Sequence, residues 1–266
     1  GQIYSSQGDT EHAIKNLSKA VELKPDDHEL NSLLGVELTQ NGDVDAAIDS
    51  YKQALKIKPD YAEAYYNIGK ALNAKGDLDA AIDNYKQALK IKPDYADAYF
   101  GMGSALNENG DLDAAIDSYK QALKIKPDFT GAFNNMGNVL RQKGDLEAAI
   151  ESFKQVLKIK PDAADAYNNM GFALNEKGKP DAAIASYKQA IKIKPNYADA
   201  YNNMGNALKE KGELDAAIDS FKQALKIKPD DADAHYNMGI ALNEKGKPDG
   251  AIDSYKQAIK IKPDYA

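Results

Sequence analysis

The residues in this chain best suited to chemistry are asparagines held in a strict register. "AFNNMG" (132–137) and "AYNNMG" (166–171 and 200–205) set an Asn pair at the same point of three successive segments. One column holds Asn67, Asn135, Asn169, Asn203 and Asn237; the column before it holds Asn134, Asn168 and Asn202; Asn138 and Asn206 add a third rung. Asn in a helix interior costs about 0.5–0.7 kcal/mol relative to Ala, so its repetition inside helical text asks for a reason. A primary amide carries both donor and acceptor and can pair with the C=O and N–H of an extended peptide without reading its side chains. The neutral alternative has the amides bonding to water or to adjacent helices. Leu33 and Gly101 interrupt the main column, so an unbroken track runs only from Asn135 to Asn237.

Other chemistry is sparse. His12, His28 and His235 fall in different segments, and His235 merely stands where an aromatic stands elsewhere. No glycine-rich phosphate loop, HExxH helix or nucleophile elbow is present. "NENGD" and "NAKGD" offer oxygens but not the spaced carboxylates that calcium needs. With no cysteine there is no thiolate nucleophile and no Cys-based zinc site. The expectation is therefore no catalytic residue, no metal site and no cofactor, in a protein that is not an enzyme.

The elements that position the asparagines follow from a repeat. Pro25, Pro59, Pro93, Pro127, Pro161, Pro195, Pro229 and Pro263 stand 34 residues apart, and the text between them barely changes. The boundaries that follow are a truncated unit at 1–27, then 28–61, 62–95, 96–129, 130–163, 164–197, 198–231 and 232–266. Within one unit Tyr201, Met204, Gly205 and Leu208 mark an apolar stripe at helical spacing, helix A. Gly212 breaks it, and Leu214, Ala217, Ile218, Phe221, Ala224 and Leu225 give helix B, which Pro229 ends. Asp60, three residues before Glu63, reads as the cap of a helix A, and Asp77 and Asp111 as caps of helix B. Lys179 and Lys247 replace that cap in two units, each before a proline suited to a first helical turn. The fold class is all-α. Gly69, Gly103, Gly137, Gly171, Gly205 and Gly239 allow close stacking, and the aromatic series Tyr85, Tyr119, Phe153, Tyr187, Phe221 and Tyr255 is expected to fill the space between helices.

A 34-residue helix-turn-helix with an aromatic opening helix A, an "MG" or "IG" pair, a central "AA", an aromatic in helix B and a closing proline resembles the tetratricopeptide repeat (TPR) over essentially the whole chain. The resemblance implies an α-solenoid of stacked units forming a right-handed superhelix, with helix A on the concave face. The Asn-rich helix A is most similar to the TPR arm of O-linked N-acetylglucosamine transferases and their bacterial relatives. The family's clamp for a C-terminal carboxylate needs cations where this chain has Tyr66, Phe100, Asn134 and Asn168, or the acids Glu63, Asp97, Asp165 and Asp199. Those acids suit the dipole of helix A and, if turned to the groove, would favour neutral or basic ligands.

The expected function is a protein–protein interaction scaffold that takes an extended peptide segment along the asparagine ladder. Two alternatives stand beside it: the substrate-recruiting arm of a larger enzyme such as a glycosyltransferase, and a self-associating scaffold. Gly1 falls inside a helix A and Ala266 where another would begin, so either the chain is part of a longer protein or its ends stack on one another in end-to-end homo-association. The net charge of −7 speaks against nucleic acid as a partner. Three lysines per unit, such as Lys222, Lys226 and Lys228, with Asp215 and Asp219 at the other end of the helix, complement its dipole; a phosphate-binding ridge is the minor alternative. No apolar run approaches the roughly 20 residues of a membrane span, and the start lacks signal-peptide character, so no membrane partner and a cytoplasmic location are expected.

Overall fold

Every interior proline of the repeat closes one helix and precedes a turn into the next, and the structure, a computed structural model, follows that rule throughout residues 2–265, with side chains described from 10 to 264. Among the described residues there are fifteen α-helices, a final 3-10 turn at Pro263–Tyr265, and no strand. After α1 (Gln2–Leu23) come antiparallel pairs, an A helix followed by a B helix: α2 (His28–Asn41) and α3 (Val44–Ile57), α4 (Ala62–Lys75) and α5 (Leu78–Ile91), α6 (Ala96–Glu108) and α7 (Leu112–Ile125). The series continues with α8 (Thr130–Gln142) and α9 (Leu146–Ile159), α10 (Ala164–Glu176) and α11 (Pro180–Ile193), α12 (Ala198–Glu210) and α13 (Leu214–Ile227), and α14 (Ala232–Glu244) and α15 (Pro248–Ile261). The chain divides into two compact units, Gly1–Ala132 and Phe133–Ala266, with the division inside α8. Gly1 and Ala266 themselves lie outside the described residues.

Local chemistry sets the helix ends. Asp77, Asp111 and Asp145 accept the backbone N–H of Ala80, Ala114 and Ala148, capping α5, α7 and α9 as their spacing predicts. At α11 and α15, Lys179 and Lys247 occupy the cap without a side-chain bond and a proline takes the first turn. Asp60 is a correction: α4 begins at Ala62 and its cap is Tyr61, one residue later. Where an aspartate does fill that later place it caps, since Asp27 accepts from Glu29 and Leu30, and Asp231 from Ala234. Ala163 stands there before α10, and in the remaining repeats an aromatic packs at that place instead, with Lys92 Nζ 4.6 Å from the Tyr95 ring centre and Lys194 Nζ 4.2 Å from that of Tyr197. The A helices close on glycine: at Gly76, φ is +81°, and its N–H returns to the carbonyls of Leu72 and Asn73.

The core is built on one repeated contact. A methyl group added at Gly205 would stand 2.6 Å from the ring of Phe221, and one at Gly69 would stand 2.9 Å from that of Tyr85. The ring of helix B therefore occupies the volume that a side chain on helix A would need. Tyr119, Phe153, Tyr187 and Phe221 are all but completely buried by it, with Ala115, Ala149, Ala183 and Ala217 at zero exposure beside them. Gly101 has the same cause from the other side, because a methyl group there would meet the Tyr85 ring at 2.8 Å.

A second device, not anticipated from the sequence, ties neighbouring repeats together. The lysine ending an A helix pairs with the acid in the first turn of the preceding B helix: Lys75 with Asp45 in the first unit, and Lys177 with Glu147, Lys211 with Asp181 and Lys245 with Asp215 in the second. Asn109 stands at the corresponding place of α6 and cannot make this pair with Asp79.

Candidate functional site

Helical spacing puts the second-column asparagines Asn169, Asn203 and Asn237 on the face of the A helices opposite the glycine that meets helix B, whereas the first-column Asn168 and Asn202 lie three residues before that glycine and nearer its side. In the second unit they are joined to one another. Asn169 Nδ2 donates to Asn134 Oδ1 at 3.2 Å, Asn203 Nδ2 to Asn168 Oδ1 at 3.1 Å, and Asn237 Nδ2 to Asn202 Oδ1 at 3.2 Å. Asn168 Nδ2 in turn approaches Asn169 Oδ1 at 3.5 Å. Each strong bond runs from the second Asn of one repeat to the first Asn of the repeat before it. The first-column asparagines thus act as acceptors between repeats, and Asn168 is only 8% exposed.

This arrangement divides the amide chemistry. Asn203 and Asn237 spend one N–H on the neighbouring helix and keep the other N–H and the carbonyl oxygen, on half-buried side chains that line a cavity. Where the first column is aromatic, ring contact replaces the amide: Tyr66 lies 6.0 Å from Tyr85 and 5.0 Å from Tyr95, and Tyr236 lies 5.8 Å from Tyr255. Asn135 and Asn138, half-buried on α8, take no part in these amide pairs. Asn67 belongs to the first unit and lines a separate cavity of about 520 Å³ with Leu33, Tyr61 and Glu63. The preceding repeat offers it Ser32 in place of an accepting Asn.

The A helices α10, α12 and α14 of the second unit enclose a cavity of about 560 Å³. Of the ten predicted residues it gathers Asn203, Asn206 and Asn237. The remaining lining is Tyr187 of the aromatic series, Lys209, and Phe172, Asn175, Glu176 and Glu210, which were not anticipated. Arg141 lies over the Phe172 ring at 4.6 Å and bonds Glu176 Oε1 at 2.9 Å, while Asn175 Nδ2 donates to Glu210 Oε2 at 2.8 Å. Burial, aided by Glu210 and Glu176 and opposed by Arg141, pushes the Tyr187 phenol well above its ordinary range, so it stays a protonated donor near neutral pH. One sequence signal pointed here. The third-rung column reads Val36, Lys70, Ser104, Asn138, Phe172, Asn206 and Ile240 in repeats whose core positions scarcely differ.

No group of three or more His, Asp or Glu side chains suited to a metal ion occurs among the described residues, and no helix there is long and apolar enough to cross a membrane.

Comparison with known proteins places these features. A family model described as "TPR repeat" matches residues 1–36, 35–76, 69–110, 103–140, 137–178, 173–212 and 205–246, and one described as "Tetratricopeptide repeat" matches 232–265. No curated protein matches the chain. Among solved structures, MamA is 31% identical over 61% of this chain and 95% of its own, with a TM-score of 0.56. YrrB, described as a TPR protein with an unusual peptide-binding site, is 25% identical over 68% of this chain and 93% of its own, with a TM-score of 0.54. PilF of Pseudomonas aeruginosa, at 19% identity, 76% and 92% coverage and a TM-score of 0.64, shares the fold. The repeat geometry and the matches along its length agree: the chain belongs to the tetratricopeptide repeat family.

Proposed function

We propose that the chain is a protein-interaction scaffold that holds an extended peptide segment along the A-helix face of its second unit, gripping the peptide backbone through asparagine amides. The observation that carries this reading is the amide pairing from Asn203 to Asn168 and from Asn237 to Asn202. It fixes the orientation of the second-column amides while leaving each a carbonyl and one N–H for a ligand, and a pre-oriented donor–acceptor pair loses less entropy on binding. Asn135, Asn169, Asn203 and Asn237 are then the gripping residues, Asn138 and Asn206 extend them, and Asn134, Asn168 and Asn202 position them. Asn67 serves the first unit alone. The likeness to YrrB supports a peptide as the ligand class. No catalytic role and no nucleic-acid partner is part of this reading. A bound peptide and its counterpart methylated at alternate backbone nitrogens test it. Loss of binding on methylation is expected, and unchanged affinity would contradict backbone recognition.

A further inference from the structure

From α2 onward, the turns between an A helix and its B helix read Lys–Gly at five places and Asn–Gly at two, Asn41–Gly42 and Asn109–Gly110. No other Asn in the chain precedes a glycine. Gly110 is in the left-handed region, with φ of +87° and nothing within 4 Å of where a side chain would start, so the space beside its amide is open. Asn109 is exposed, and its carboxamide is bonded to no described residue. The two turns differ in what their aspartate does. Asp43 accepts from Asn41 Nδ2 at 2.8 Å and makes no cap bond to α3, whereas Asp111 accepts from the Ala114 N–H at 3.3 Å and caps α7. Asn41 is tethered and Asn109 is not. The Gly110 N–H is held by Asn107 O at 3.1 Å and ψ at Asn109 is −7°, so a reaction between the two residues waits on opening of the last turn of α6. That turn lies at an exposed helix end, where opening costs least.

We propose that Asn109 is a self-modification site that loses ammonia to become aspartate or isoaspartate, with water as the co-reactant. When the turn opens, the Gly110 backbone nitrogen attacks Asn109 Cγ. The N–Cγ bond forms, the Cγ–Nδ2 bond breaks and the amide proton leaves with the ammonia, giving a succinimide. Water then opens the ring. Cleavage of the new N–Cγ bond leaves aspartate; cleavage between that nitrogen and the Asn109 backbone carbonyl carbon leaves isoaspartate, whose main chain runs the longer way through Cβ and Cγ. A side chain on the following residue crowds the attacking nitrogen, and Asn73, Asn107, Asn175 and Asn243 precede Ala or Glu inside their helices. Either product puts a carboxylate opposite Asp79, at the place where Lys75, Lys177, Lys211 and Lys245 pair with the preceding B helix. It also stands at the end of a helix with no base in its last turn. The junction of α5 with α6 is thereby weakened. Isoaspartate in addition disrupts the closure of the turn, in which the Asp111 N–H donates to Leu106 O at 2.9 Å. In the second unit every such turn is Lys–Gly, so this chemistry is confined to the first.

The test incubates the whole folded chain in neutral buffer and follows the peptides carrying Asn41 and Asn109 by mass spectrometry, with enzymatic methylation of isoaspartate as a second readout. Asn109 is expected to convert about two- to tenfold faster than Asn41, the difference one surface hydrogen bond makes. Asp43→Ala removes the tether and no cap bond, and is expected to bring Asn41 up to the rate of Asn109. Asn73 and Asn107 are expected to stay amides. In urea, Asn109→Asp should unfold at a lower midpoint than the parent; the aged parent should drift towards it, and aged Asn109→Gln should not move. An Asn109 that keeps its amide while a short peptide of the same sequence converts, or that converts no faster than Asn41, overturns the proposal. An Asn41 rate that Asp43→Ala leaves unchanged removes the tether as the cause of the difference. A parent-like midpoint for Asn109→Asp overturns the weakening of the junction.

Discussion

Asn203 donates its side-chain amide to the oxygen of Asn168, 3.1 Å away on the preceding A helix. The bond joins two repeats and at the same time commits only one of the two N–H groups of the Asn203 amide. Neither consequence follows from an asparagine on its own, because a lone exposed amide is free to rotate and to bind water.

The partner can be exchanged without disturbing the core. Tyr66 and Tyr236 fill the column of Asn168 in other repeats and pack on Tyr85 and Tyr255. Asn168→Tyr is therefore expected to fold with stability within about 1 kcal/mol of the parent. Asn203 then loses its acceptor, and peptide affinity should fall by about 0.5–1.5 kcal/mol. Calorimetry for stability and titration for affinity read the two effects separately.

Close stacking gives a sharper expectation. Gly205→Ala forces a methyl group to within 2.6 Å of Phe221, whose ring is fully buried. The variant should lose about 1–3 kcal/mol in urea unfolding, since a packed ring has little room to shift. Gly212 meets nothing within 4 Å but has φ of +77°, so Gly212→Ala should lose about 1 kcal/mol through backbone strain alone.

How far the fold and the face were legible depends on the range of the interaction. Gly205 and Phe221 could be matched from spacing because both belong to one helix pair repeated along the chain. Asp60 was misassigned by one residue because aspartates flank both places, and only Asp27 and Asp231 reveal which one caps. The pairing of Asn168 with Asn203 was not legible, because it depends on how one repeat rotates onto the next. The same holds for Lys211 and Asp181, thirty residues apart and joined only by stacking. The asparagine columns themselves were plain. The cavity was not, since it arises where Phe172 replaces a polar residue and Tyr187 keeps a hydroxyl that Phe153 and Phe221 lack.

One missing staple can be restored. Asn109→Lys places a cation where Lys75, Lys177, Lys211 and Lys245 meet the preceding helix, opposite Asp79. A gain of about 0.5 kcal/mol or less is expected in dilute buffer, because such pairs lie at the surface. The gain should vanish in molar salt, and a gain that persists there would show that charge is not its cause.

The buried phenols set a pH dependence. Burial, with smaller contributions from Tyr66 and Glu108, raises the Tyr85 pKa well above 10.0. In the unfolded chain the phenol ionises near its ordinary value, so the folded form retains the proton more tightly. The stability this provides is fully present below pH 10.0 and is lost as pH rises above it. Tyr85→Phe should leave the neutral-pH stability little changed and make the decline above that point shallower. Urea unfolding of both proteins on each side of that pH measures the difference.

The central claim is that second-column asparagines grip a peptide backbone. Its most direct test is the variant Asn135→Ala, Asn169→Ala, Asn203→Ala, titrated with a peptide that the parent chain binds while circular dichroism follows helicity. The account predicts helicity unchanged and binding weaker by about 1.5–4.5 kcal/mol, from about 0.5–1.5 kcal/mol for each amide. Parent-like affinity in a fully helical variant would contradict it.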